Sequence, residues 1–101
     1  MTDDPFQEAL AFYNAGNYRR CFELVTGGLS QQPDNPGLLD LAGKCSLALN
    51  RDDAATYFQR VVNLQPDNVE AWHSLGDALV DEGNLEEAAA AFREAVRLRP
   101  T

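Results

Sequence analysis

The chain has 101 residues, 45% of them hydrophobic and 24% charged. That composition fits one small globular unit and excludes a disordered or collagen-like polymer. Sixteen acids against eight bases give a net charge of −8, which repels phosphate backbones and anionic lipid head groups, so nucleic acid and membrane surfaces are expected to be poor partners. No apolar run is longer than Ala88-Ala89-Ala90-Ala91-Phe92, far below the roughly 20 residues that cross a bilayer. The acidic start, Met1-Thr2-Asp3-Asp4-Pro5, lacks a secretory pattern, and a cytoplasmic location is expected.

Six helices and no strand are expected in chain order. The first runs from about Asp4 to Ala15, and Gly16-Asn17 turns it into a second from Tyr18 to Ser30. The third and fourth are expected at Pro36 to Leu49 and Asp52 to Leu64. In the last third, Pro66-Asp67-Asn68 supplies capping oxygens for a helix from Val69 to Glu82, which Gly83-Asn84 terminates. The sixth, Leu85 to Leu98, carries Leu85, Ala88, Phe92, Ala95 and Val96 at helical spacing and gathers Arg93, Arg97 and Arg99 near its C-terminus.

The six form three similar pairs. Gln32-Pro33-Asp34-Asn35 returns as Gln65-Pro66-Asp67-Asn68, 33 residues later, and Pro100 follows Pro66 by 34. Leu41 with Leu75, Ala42 with Gly76, Ala54 with Ala88 and Phe58 with Phe92 all fall at 34. The mixture implies one residue missing, placed here between Pro33 and Gly37. Repeats of about 2–34, 35–68 and 69–101 fill a single domain over residues 1–101.

The third unit, with Trp72, Leu75, Gly76, Ala88, Phe92 and Pro100 in place and Leu79 where an aromatic is usual, resembles the tetratricopeptide repeat. The second unit keeps the size classes with Leu38, Leu41, Ala42, Cys45, Ala54, Phe58 and Pro66. The first keeps Ala9, Phe12, Cys21 and Pro33, while Pro5 and Glu8 stand where large apolar residues are usual. Its opening helix is therefore expected to be shorter, shifted, or specialised as an end cap. Ankyrin repeats share a similar period, but their Thr-Pro-Leu-His signature is absent. The resemblance implies an all-α, right-handed superhelical solenoid of three antiparallel helix pairs. Trp72, Leu75, Phe58, Phe92 and Leu41 are expected to be buried.

It also implies a non-catalytic protein–protein interaction module, part of a larger protein. The alternatives are a self-associating structural scaffold unit or a regulatory domain cut from a multidomain enzyme. Carrying over the concave-groove positions gives Phe6, Leu10 and Tyr13, then Leu39, Asp40, Gly43 and Leu47, then Glu70, His73, Ser74, Asp77 and Asp81. One end is apolar and aromatic, the other acidic. The lysines, arginines and asparagines with which some family members grip the carboxylate tail of heat-shock chaperones are missing, because those positions carry Phe6, Leu10, Asp40, Gly43, Glu70 and Ser74. The expected partner is a protein or peptide with apolar and basic character.

No cofactor and no catalytic residue are expected. Glu70, His73, Asp77 and Asp81 share a helix face that could present ligands to a divalent ion, but tight sites recruit more than one His or Cys, and a polar groove wall is the preferred reading. Cys21 and Cys45 are read as inert packing thiols, with a disulfide as the alternative and activation by His73 the least favoured. Arg19-Arg20 is read as solvated surface. Ala89, Val96 and Leu98 leave apolar surface at the end of the array, where a weak homodimer is expected.

Overall fold

The computed structural model describes residues 5–99. The outer limits of the first and third repeats, at about residues 2 and 101, and the third-unit Pro100 lie outside them. Among the described residues there are six helices and no strand: α1 (Pro5–Asn14), α2 (Tyr18–Gln31), α3 (Pro36–Ala48), α4 (Ala54–Leu64), α5 (Val69–Asp81) and α6 (Leu85–Leu98). Each packs on the next in chain order, and α1 also reaches α3. A 14-residue helix is about 21 Å long, which matches the two short dimensions of the 41 × 25 × 24 Å molecule. The pairs therefore stack along the long one, as in a tetratricopeptide-like solenoid. No described helix is long and apolar enough to cross a membrane.

Local chemistry explains the boundaries. Asn35 and Asn68 cap α3 and α5 by accepting the backbone N–H of Leu38 at 3.2 Å and of Ala71 at 3.0 Å. Asn17 does the same for α2, from Arg20 at 3.3 Å. The first helix of each pair ends on a left-handed residue: Gly16 (φ 83°), Asn50 (φ 57°) and Gly83 (φ 78°). The next N–H then reaches back five residues, Asn17 to Phe12, Arg51 to Ser46 and Asn84 to Leu79, which satisfies carbonyls the helix leaves open.

These matched caps relocate the missing residue. Asn35 with Asn68 and Asn50 with Gly83 hold α3 and α5 at a shift of 33, so Pro33 to Gly37 is not where the repeats fall out of step. The difference lies at the start of α4. Asn17 precedes the buried Cys21 by four residues and Asn84 precedes Ala88 by four, but Arg51 precedes Ala54 by only three. Consequently α4 begins at Ala54 rather than Asp52 and has 11 residues, against 14 in α2 and α6. Asp53 makes no side-chain cap bond. It pairs instead with the Arg51 guanidinium at 3.0 Å, which in turn lies 4.4 Å from the centre of the Phe22 ring.

The core runs through all three pairs. Leu41, Phe58 and Leu75 are buried as expected, whereas Trp72 and Phe92 are half-buried. Trp72 lies near the surface because its indole N–H donates to the Pro66 carbonyl at 2.9 Å. Phe92 is open because no further helix covers α6 among the described residues. Cys21 and Cys45 are fully buried at the α2–α3 contact.

Candidate functional site

With α3 and α5 aligned at 33, Gly37, Asp40 and Lys44 of α3 stand beside Glu70, His73 and Asp77 of α5. The structure has a cleft of about 570 Å³ there, lined by Gly37, Asp40, Lys44, Glu70, His73 and Ser74, with Gln65 and Asn68 at its edge. The α1 end adds half-buried Phe6, Leu10 and Tyr13. Phe6 packs toward Gly37, where a side chain would come within 3.4 Å of its ring. Tyr13 meets Tyr18 edge-on at 5.3 Å. Burial pushes the Tyr13 hydroxyl up, Lys44 nearby opposes this, and Asp40 and Cys45 are also within its field.

Most of the expected groove residues therefore lie on accessible surface. Glu70, His73, Asp77 and Asp81 are exposed, and Asp40, Ser74 and Leu47 are half-buried. Leu39 and Gly43 differ: Leu39 is fully buried, and Gly43 is sealed under the Phe58 ring. The cause is the misplaced gap, which set α3 one residue out of register and turned these two core positions toward the groove on paper. The same slip hid Lys44 and Gly37. Matching the two Asn caps would have recovered both from sequence.

The groove is acidic with one lysine, Lys44, on its wall. Lys44 pairs with Asp40 at 3.0 Å. Burial pushes the Lys44 ammonium down, but the Asp40 hydrogen bond and the Asp40 and Glu70 charges outweigh it and raise it above its ordinary value. Glu70, Asp77 and Asp81 have no ion-pair partner among the described residues. His73 lies against Phe92, ring centres 5.8 Å apart. Among the described residues no group of three or more His, Cys, Asp or Glu is arranged to hold a metal.

At the far end of the stack, Val96 is 58% exposed, in a shallow apolar patch with Phe92 between Arg93 and Arg97. Ala89 and Leu98 are half-buried.

The family model described as tetratricopeptide repeat matches residues 48–101. Among solved structures, the chain is similar to the first TPR of Spaghetti (RPAP3) bound to the HSP90 peptide SRMEEVD, with a TM-score of 0.89 at 21% identity over 96% of this chain and 78% of that one. It is similar to MamA 41-end from Desulfovibrio magneticus RS-1, with a TM-score of 0.90 at 26% identity over 95% of this chain and 55% of that one. The Sgt2 TPR domain from Aspergillus fumigatus gives 0.88 at 24% identity, over 98% and 66%. This chain thus spans little more than half of the MamA chain.

Proposed function

The chain belongs to the tetratricopeptide repeat family, and we propose on that basis that it is a non-catalytic interaction module whose concave groove takes a peptide with apolar anchors and Lys or Arg side chains. One observation carries this reading: Glu70, Asp77 and Asp81 face solvent with no salt-bridge partner among the described residues, while the single groove lysine is engaged by Asp40. Unpaired carboxylates attract a basic segment and repel a terminal carboxylate. Phe6 and Leu10 supply the apolar end. The solved Spaghetti domain holds the HSP90 peptide SRMEEVD, which is rich in carboxylates; the carboxylates of this groove oppose such a peptide, so heat-shock chaperone tails are not its expected ligands.

Calorimetric titration tests the proposal with two peptides, one alternating Leu or Phe with Lys or Arg, the other an acidic C-terminal tail. The basic peptide is expected to bind with a Kd on the order of micromolar. Glu70→Lys with Asp77→Lys should weaken it about tenfold or more. Low-micromolar binding of the acidic tail, or indifference to the double substitution, would refute this polarity.

A second reading rests on a separate observation, the 58% exposure of Val96 at the last helix. That surface suits weak end-to-end association of the chain with itself, compatible with peptide binding in the groove.

A further inference from the structure

Cys21 on α2 and Cys45 on α3 are both fully buried, and the Cys45 thiol points at the Cys21 sulfur across 2.9 Å. The two lie 24 residues apart, on opposite sides of the junction between the first and second helix pairs. At the corresponding junction between the second and third pairs, 33 residues on, stand Ala54 on α4 and Ala78 on α5, also buried. Two methyl groups thus satisfy the packing that this position requires. The sulfurs at the first junction are additional to it, and they face each other.

We propose that Cys21 and Cys45 are an oxidation site, closing to an intramolecular disulfide that staples the first helix pair to the second. A disulfide needs a sulfur separation of about 2.05 Å, so closure from the observed contact is a movement of about 0.9 Å. The oxidant is a small disulfide such as oxidised glutathione. The Cys21 thiol gives its proton to solvent, and its thiolate attacks one sulfur of that disulfide. The small S–S bond breaks and a mixed disulfide forms, while the departing thiolate takes up a proton. The deprotonated Cys45 sulfur then attacks Cys21, expelling the second small thiolate, which is likewise protonated. Two electrons pass from the cysteine pair to the oxidant, one S–S bond is lost and one is gained.

Burial pushes both thiols up, Cys45 further because its S–H is used in the bond to Cys21. In the closed fold the pair is consequently protonated and out of reach, and oxidation proceeds when the first and second helix pairs part in a local opening. Once formed, the staple fixes α2 against α3, beside Tyr13, and so holds the apolar end of the groove in place.

The full chain, unfolded in denaturant and refolded through mixed oxidised and reduced glutathione, tests this. Intact mass should fall by two hydrogens, and no thiol should react with iodoacetamide after a second denaturation. The melting temperature should rise by several degrees over the reduced chain. Cys21→Ala and Cys45→Ala should each abolish the rise, with helical circular dichroism retained, because alanine occupies the corresponding junction. Two alkylated thiols after equilibration, a stable glutathione adduct, or a covalent dimer would each overturn the proposal. The wild-type mass decides even where a variant folds poorly.

Discussion

The ring of Phe58 occupies the space that a side chain at residue 43 would need: a Cβ built on Gly43 would lie 2.6 Å from the ring tip. Phe92 stands over Gly76 in the same way, at 2.5 Å. The second and third pairs of helices are thus each locked by one aromatic ring seated on a glycine. The two locks differ in their surroundings, since Phe58 is fully buried while Phe92 is half-open.

Gly43→Ala should therefore destabilise the fold by about 1–3 kcal/mol through overpacking, despite the usual gain of about 0.5–1 kcal/mol for alanine in a helix. Gly76→Ala should cost less, because the Phe92 ring can swing toward solvent. Urea unfolding of both variants checks the order. Equal costs would mean that the open end is as rigid as the interior.

Much of this architecture is legible in the sequence. The Asn caps, the Gly turns and the 3.6-residue apolar spacing locate five of the six helices to within a residue at either end, since each signal is local. The start of α4 was not legible, because Asp52 and Asp53 look like good first-turn residues. Their removal from the helix follows from a one-residue deletion after Asn50, which the matched caps and the matched contacts of Gly43 and Gly76 expose. The groove suffered for the same reason: Leu39 and Lys44 exchange inside and outside on a one-residue slip, and composition alone cannot detect it. The meeting of Cys21 with Cys45 was open among other readings, because contact between α2 and α3 depends on how the pairs stack.

Removing the groove lysine should strengthen binding of the basic, apolar peptide. Lys44→Ala deprives Asp40 of its partner at 3.0 Å and leaves its charge available to the ligand. An exposed pair of this kind is worth about 0.2–1 kcal/mol, so affinity should rise by about 1.4- to fivefold at low ionic strength and return toward wild type at high salt. Calorimetry at two salt concentrations measures it. Weaker binding would place Lys44 among the ligand's own contacts.

Asp53 gives the short α3–α4 connection a pH dependence. Burial raises its carboxyl, but the Arg51 hydrogen bonds, the nearby Ser46 hydroxyl and the Arg51 charge together outweigh this and hold it below its ordinary value. A depressed folded value means that the stabilisation is complete above the unfolded pKa, about 3.9, and is lost as pH falls through the lower folded value. The stability advantage of wild type over Asp53→Asn should therefore be constant from pH 5 to 7 and shrink below about pH 4. Denaturant melts across that range test the sign. An advantage that grows on acidification would exclude the Arg51 pairing as its source.

Val96 is expected to dominate self-association, and Leu98 to contribute little. The residue 34 positions before Val96 is Val62, 2% exposed because α5 lies over it, whereas Val96 is 58% exposed. Leu98 corresponds to Leu64, which stays 43% exposed even with the next pair in place, so Leu98 lies off the stacking face. Burial of an apolar side chain is worth about 1.5–3 kcal/mol, and association consumes most of such a gain, which leaves a weak complex. Light scattering across a concentration series should show rising mass for the wild type and Leu98→Glu, and a monomer for Val96→Glu. Because Val96 is exposed, the latter substitution should leave the melting temperature of the dilute chain close to wild type. A wild-type chain that stays monomeric at high concentration would remove the case for end-to-end stacking, and Leu98→Glu acting as strongly as Val96→Glu would place the contact elsewhere on α6.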